Sequence, residues 1–188
     1  MIRICLVGEI ASGKTYVANC FGYPIFNADK EVIKIYKKNR KCFNKLKKKF
    51  PKNINHFPIK KSQIKQILNK QNIKTLSKIV HPYVRKELSK FLKKNKKKNF
   101  VTLDIPLLVE NKLYKKNDIL VNVKAKKNII IRRLKNRGNY NKKLIKILKS
   151  QQINTKKKSK LCNFTIENNL GRNNILKQIK KIKIKLND

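Results

Sequence analysis

The chain has 188 residues, a length that suits one α/β domain with or without a small lid. Forty per cent of the residues are hydrophobic, yet no apolar run approaches the roughly 20 residues that a membrane span needs. The N-terminal apolar run is too short for the core of a signal peptide. We therefore expect a globular cytoplasmic protein without a membrane partner.

The formal net charge is +42, a value that normally indicates a nucleic-acid-binding protein. The excess is nearly all lysine, with 44 Lys against 7 Arg, and the lysines are dispersed along the whole chain. Ile and Asn are also abundant, and all three residue types share A/T-rich codons. Genome composition thus accounts for the charge, and no specific nucleic-acid partner is expected. The four cysteines are scattered, so neither a disulfide nor a zinc site is predicted.

Apolar runs and helical spacing predict alternating elements in the first half of the chain. In chain order these are a strand over 2–7, a helix over 14–21, a strand over 24–28, a helix from Asp29, and helices over 40–50 and 60–98. We expect Pro82 to interrupt the last segment, because proline lacks the N–H that a helix interior uses.

The second half continues the alternation. In chain order it predicts a strand over 100–106, a strand over 118–124, a helix with Ile130 and Leu134, a helix over 141–151, a strand over 162–168 and a last helix with an apolar face. Short strands that alternate with helices predict a parallel sheet covered on both sides. The expected fold is therefore three-layer α/β, with an extra helical region between the second and third strands.

Gly8 to Thr15 (GEIASGKT) match the pattern G-x-x-x-x-G-K-[ST] between the first strand and the first helix. Glycines let backbone N–H groups turn towards phosphates, and the helix N-terminus adds positive charge. Lys14 is positioned to reach the β- and γ-phosphates, and the Thr15 hydroxyl to bind Mg²⁺. ATP and Mg²⁺ are the expected ligands, although the motif alone does not distinguish kinases from other nucleotide hydrolases and motors.

Carboxylates are informative because only nine Asp and Glu are present. Asp29 follows the second strand, and the carboxyl ends of parallel strands border the crevice of an α/β sheet. It is a candidate base for an acceptor hydroxyl, or a cap of the following helix. Asp104 ends the third strand and is a candidate for holding Mg²⁺ or its water shell, or for capping a turn. Glu110 has no clear role.

Three of the seven arginines, Arg132, Arg133 and Arg137, fall on one predicted helix. The guanidinium group offers a planar fork to phosphate oxygens, and residues four apart share a helical face. The pair Arg133 and Arg137 is thus typical of a kinase lid that brings positive charge to a transferring phosphoryl group. The alternative is a solvated basic helix face.

With these motifs, the chain resembles the dephospho-coenzyme A kinase family over nearly its whole length. The similar segments are GEIASGKT, FNAD, HPYVRKEL from His81, LDIPLLVENKLY from Leu103, RRLKNR, SQ at Ser150–Gln151, and FTIENN from Phe164. The resemblance implies a P-loop kinase fold and transfer of the γ-phosphoryl group of ATP to the ribose 3′-hydroxyl of dephospho-coenzyme A. Alternatives are another small-molecule kinase of this fold, for nucleosides or nucleoside monophosphates, and a nucleic-acid-binding P-loop ATPase.

The resemblance also implies residue roles. ATP would contact Gly8, Ala11, Ser12, Gly13, Lys14, Thr15 and Tyr16, with Asn168 and Asn169 near the adenine. Mg²⁺ would bind Thr15. Catalysis would use Asp29 as base together with Lys14, Arg133 and Arg137, and the acceptor would contact Asp29, His81, Arg85 and Asp104.

The family pattern implies a single domain over 1–188. Its core would cover about 1–38, 99–124 and 160–188, its helical acceptor region about 39–98, and its lid about 125–145. Three departures stand out: Asn27 replaces the first acid of an Asp-Ala-Asp, and Glu9 and Ala11 stand where the family usually has glycines. We expect strain at these two loop positions, because residues other than glycine resist positive φ.

Overall fold

The computed structural model describes residues 1–136, 142–169 and 171–187. The chain folds as two compact units, the first comprising Met1–Asn27 with Asn95–Asp188 and the second Ala28–Lys94. Arg137, one of the predicted lid arginines, lies outside the described residues. Within the described ranges, every helix is too short or too polar to cross a membrane.

Strands and helices alternate broadly as predicted. The strands are β1 (Ile2–Gly8), β2 (Ile25–Asn27), β3 (Phe100–Asp104), β4 (Ile119–Lys124) and β5 (Phe164–Glu167). The helices are α1 (Lys14–Cys20), α2 (Ala28–Lys38), α3 (Arg40–Lys49), α4 (Lys61–Ile67), α5 (Asn72–Lys94), α6 (Lys127–Lys135), α7 (Lys142–Ser150), α8 (Thr155–Lys160) and α9 (Arg172–Asn187). The short helix α8 was not predicted, because its sequence TKKKSK has no apolar periodicity.

The first unit is built on a parallel sheet in the order β2-β3-β1-β4-β5. This confirms the predicted α/β class with a parallel sheet. The chain leaves β1 for β2 and β3 on one side, then crosses to β4 and β5 on the other. The carboxyl ends of β1 and β3 therefore flank a topological switch point, where α/β proteins open a binding crevice.

Alternating side chains of the sheet face different helices. Ile4 and Leu6 of β1 share a core with Val121 of β4 and with residues of α1 and α9. The next residue, Asn122, points the other way, and its amide donates to Ser159 Oγ of α8 at 2.9 Å. Helices thus cover both faces of the sheet, as a parallel sheet requires.

A buried ion pair joins β1 to the loop before β4. Arg3 Nε donates to Asp118 Oδ1 at 2.6 Å, and a second guanidinium N–H bonds Oδ2. Burial and the Asp118 carboxylate raise the pKa of the neighbouring Cys5 thiol, so Cys5 is an unreactive residue of the core. Cys162 is only partly buried.

The second unit has its own core of side chains from α2, α3, α4 and α5, including Ile35, Leu46 and Val80. The prediction that Pro82 interrupts the helical segment is wrong, because the 23-residue helix α5 continues through it. Val80 on one side of the proline and Val84 on the other both contact this core. Their burial offsets the hydrogen bond that the proline cannot make.

Candidate active site

The loop between β1 and α1 has the backbone that a phosphate-binding loop needs. Gly13 caps α1 in the left-handed region, with φ of 94° and ψ of 28°. A Cβ atom at Gly13 would collide with the Asn168 amide, and one at Gly8 with the Val123 carbonyl oxygen. Glycine is therefore required at both positions by sterics as well as by φ.

Ala11 adopts a positive φ of 61°, which bears on the strain expected in the loop. An L-residue in this region is disfavoured by about 1–2 kcal/mol relative to a right-handed conformation. Its side chain is buried in a small cluster with Ile130 and Leu134 of α6, and this packing offsets part of the cost. Glu9 is not among the described residues with positive φ, so the expected strain falls on Ala11 alone.

Lys14 folds back over the loop that carries it. Its ammonium group donates to the carbonyl oxygens of Gly8 at 3.1 Å and Glu9 at 2.9 Å. Ser12 is fully buried, and its hydroxyl oxygen has no hydrogen-bond partner within the described part of the chain. A buried polar atom of this kind is costly unless something binds it, and an anion on the loop would supply that partner.

The carboxyl end of β3 brings Asp104 to the first residues of α1. Thr15 Oγ1 donates to Asp104 Oδ2 at 2.5 Å, although 89 positions separate the two residues. The sheet register pairs Asn27 with Asp104, and the Asn27 amide donates to the same oxygen at 2.6 Å. Asp104 is 4% exposed. This places one hydroxyl and one carboxylate together, both of them oxygen ligands that suit Mg²⁺.

Arg133 of α6 reaches the same loop. Its guanidinium donates to Ser12 O at 2.9 Å and to Asn168 O and Oδ1, both at 3.1 Å. The Asn168 amide in turn donates to Ser12 O at 2.8 Å. Sequence reasoning assigned Arg133 to a lid; in the structure it is bonded to the loop and to the residue after β5. Arg132 beside it is exposed.

The remaining ATP-contact candidates differ in their surroundings. Tyr16 is 45% exposed on α1. Asn169 accepts from Lys126 N at 2.6 Å and donates to Glu167 at 2.9 Å, so its side chain fixes the chain after β5.

Three candidates lie in the second unit. Asp29 is in the acidic first turn of α2. His81 and Arg85 stand one helical turn apart on α5. Burial, and then the Arg85 charge, lower the pKa of His81, so its imidazole is neutral at pH 7. A neutral imidazole keeps one nitrogen as acceptor and one as donor.

Sequence reasoning named Ser150 and Gln151 but missed the contacts that Gln152 and Thr155 make after α7. Gln152 Oε1 accepts from Ile10 N at 3.3 Å, and Thr155 Oγ1 donates to Glu9 Oε1 at 2.5 Å. Glu110, given no role from the sequence, forms a buried ion pair with Lys158 at 2.7 Å. The scarcity of acids drew attention to Glu110, but nothing distinguishes Lys158 among 44 lysines.

A family model and a curated relative both indicate the same enzyme family. The family model described as dephospho-CoA kinase matches residues 2–174. The dephospho-CoA kinase of Wolbachia pipientis wMel is 31% identical over 191 residues, covering 98% of this chain and 97% of that protein.

Solved structures agree in fold. TT1252 from Thermus thermophilus aligns with a TM-score of 0.80 at 25% identity, covering 98% of this chain and 97% of the other. Dephospho-CoA kinase from Campylobacter jejuni aligns with a TM-score of 0.61 at 22% identity, covering 98% and 96%.

Proposed function

The chain belongs to the dephospho-coenzyme A kinase family, and on this premise we propose that it transfers the γ-phosphoryl group of ATP to the ribose 3′-hydroxyl of dephospho-coenzyme A, giving coenzyme A. The observation that carries the proposal is the hydrogen bond between Thr15 and Asp104 beside a loop with P-loop geometry. The enzyme is a phosphotransferase, and its expected location is the cytoplasm.

ATP would bind with its phosphates on the loop from Gly8 to Thr15. Lys14 would exchange its two carbonyl acceptors for phosphate oxygens, because charge-assisted hydrogen bonds are the stronger ones. The α1 N-terminus adds partial positive charge at the same place. Arg133, already bonded to Ser12 O, would neutralise charge that develops during transfer. Arg137 remains a proposed second arginine of this kind, from a lid over about 125–145.

The loop also suits Mg²⁺. Thr15 and Asp104 supply a hydroxyl and a carboxylate, and Mg²⁺ in kinases needs only one or two protein oxygens besides phosphates and water. Bound there, the ion would neutralise phosphate charge and orient the transferring group. Asn27, which donates to Asp104 Oδ2, would hold that carboxylate in position.

Asp29 would accept the proton of the 3′-hydroxyl. It follows β2 by two residues and lies in the first turn of α2, so the same carboxylate also suits the partial positive charge of that helix N-terminus. The helical region over about 39–98, with His81 and Arg85, is the proposed acceptor region. Transfer would be in line, with positioning and charge neutralisation supplying most of the rate.

The test combines a substrate panel with one substitution. Purified protein with ATP and Mg²⁺ should convert dephospho-coenzyme A to coenzyme A by mass, and should act far more slowly on adenosine, AMP or pantetheine phosphate. Faster phosphorylation of an acceptor without the pantetheine arm would refute the acceptor assignment.

Asp29→Asn should lower kcat by roughly 10²–10⁴, the usual contribution of a general base, with little change in ADP affinity. Glu31→Gln is the matched control, since Glu31 is also an acid of the first turn of α2 and pairs with Lys34 on the surface. If Asp29→Asn retained full kcat and lost only thermal stability, the carboxylate would be a helix cap and not the base.

A further inference from the structure

The nucleotide-binding loop is held from outside by the segment between α7 and α8. The Gln152 amide accepts from Ile10 N at 3.3 Å and donates to Gly8 O at 3.4 Å. Between these two contacts, Thr155 Oγ1 donates to Glu9 Oε1 at 2.5 Å. Three successive loop residues are thus bonded to side chains more than 140 positions away along the chain.

This supporting segment is itself fixed to the core. Lys158 of α8 is buried against Glu110 at 2.7 Å, with side-chain exposures of 2% and 8%. The same carboxylate oxygen accepts from Ile153 N at 3.2 Å. Asn154 caps α8 by accepting from Lys156 N. The backbone on both sides of Thr155 is therefore held by hydrogen bonds, and this restricts where its hydroxyl group can lie.

The negative charge of Glu9 opposes phosphate binding at this loop, and the hydrogen bond from Thr155 limits where that charge can lie. A carboxylate on a loop that receives a triphosphate repels it, and like charges at short range disfavour binding. The Glu9 backbone carbonyl accepts from the Lys14 ammonium at 2.9 Å, so the residue that bears this carboxylate is in direct contact, through its backbone, with the lysine that is to bind phosphate. A free Glu9 side chain would compete with ATP for that ammonium group.

We propose that Thr155 is a positioning residue for ATP, which holds the Glu9 carboxylate and keeps it from competing for Lys14. Gln152 supports the same role by fixing the loop backbone on both sides of Glu9. The inference rests on the proposed function only in taking ATP as the ligand of this loop. It adds a residue outside the P-loop motif to the determinants of nucleotide affinity.

The experiment measures the dissociation constant of Mg-ADP by calorimetry, together with KM for each substrate, kcat and the urea midpoint. Thr155→Val keeps the shape and removes the donor. It should weaken Mg-ADP binding and raise KM for ATP about three- to tenfold, the loss expected for a partly exposed hydrogen bond to a charged group. The kcat and the KM for dephospho-coenzyme A should stay within twofold. Thr155→Ser should restore ADP affinity, because the hydroxyl returns.

The variant Glu9→Gln tests whether the Glu9 charge causes the loss of ADP affinity in Thr155→Val. With the charge removed, adding Thr155→Val should change ADP affinity by less than twofold, whereas a purely structural role would give the same loss in both backgrounds. The effect in the charged background should also shrink at high salt. Thr155→Ala, which suits a helix, replaces the valine variant if that variant folds poorly.

Unchanged ADP affinity in Thr155→Val and Thr155→Ala would overturn the inference, as would equal losses of ADP affinity in the wild-type and Glu9→Gln backgrounds. Acceptor identity does not enter the ADP measurement. A wrong acceptor would therefore appear in the substrate panel and leave this result standing.

Discussion

Replacement of Lys158 by methionine would remove the positive partner of Glu110 from the interior of the first unit. The two side chains are 2% and 8% exposed, with Nζ and Oε1 2.7 Å apart. Methionine follows much of the lysine stem, so the main change is a buried carboxylate without its counter-ion. Among the residues that the structure describes, the Glu110 carboxylate would keep a hydrogen bond from Ile153 N at 3.2 Å. Breaking a buried pair in this way costs about 3–5 kcal/mol.

For a chain of this length, each kcal/mol lowers Tm by about 2–4 °C, so Lys158→Met should lower Tm by roughly 6–20 °C. Urea unfolding followed by far-UV circular dichroism gives the free energy directly. Tyrosine fluorescence is the second probe, since the chain contains no tryptophan. Coincident transitions from the two probes would justify a two-state fit.

Two further variants separate charge burial from packing. Glu110→Leu combined with Lys158→Met replaces the whole pair by apolar groups, and should recover most or all of the stability, because such replacements are often neutral or stabilising. Lys34→Met removes a comparable partner from the pair with Glu31, whose lysine and glutamate side chains are 65% and 19% exposed, and should change stability by less than about 1 kcal/mol. A small loss in Lys158→Met, or a double variant as unstable as the single one, would refute the reasoning.

Three other substitutions test the site and the helical unit. Asn27→Asp should place a second carboxylate beside Asp104 and remove an amide donor. The metal-free variant should therefore be less stable than the wild type, and Mg²⁺ should raise its Tm more than it raises the Tm of the wild type. Equal increases in Tm on adding Mg²⁺ in a thermal shift assay would contradict this. Arg133→Lys should lower kcat/KM for ATP about tenfold or more, because one ammonium group cannot make the contacts of a guanidinium fork. Wild-type kinetics in this variant would show that a positive charge at position 133 is sufficient for activity. His81 has a lowered pKa in the folded protein, so the unfolded chain binds a proton at this residue more readily. The free energy of unfolding should therefore decline as pH falls below about 6.5. Urea unfolding should show that His81→Asn loses less stability than the wild type between pH 7.5 and 5.5, and identical losses would refute the assignment.

The parts of the molecule that sequence reasoning predicts well are those whose signal is local. The P-loop between β1 and α1 follows from eight consecutive residues and their flanking apolar run. Thr15 and Asp104 were each named as candidates for Mg²⁺, and the structure brings them together because the strands of a parallel sheet end at the same edge. Asn27 faces Asp104 because the two strands are in register, a detail that residue types alone do not give.

The missed parts depend on contacts between distant residues or on tertiary burial. Thr155 and Glu9 are 146 positions apart, and neither belongs to a pattern that indicates the other. Arg133 was singled out for its guanidinium, and its bonds to Ser12 and Asn168 depend on where α6 packs, which the sequence does not give. Pro82 was overestimated as a helix breaker, because local propensity is outweighed when both neighbouring turns contact a core.

The acidic residues give the clearest physical link between this composition and the site. In a chain with 51 basic side chains and nine acids, an exposed acid gains little from any one of many lysines, since screened surface pairs are weak. The buried acids are different, because each has a defined partner within the first unit: Asp104 with Thr15, Glu110 with Lys158 and Asp118 with Arg3. Asp104 is the last residue of β3, and the other two acids lie between β3 and β4, the strands on either side of the central strand β1. The buried negative charge of the first unit therefore lies at defined positions beside the sheet, each carboxylate held by a specific donor, whereas the solvated lysines lack the geometric constraint of such partners because exposed pairs are weak.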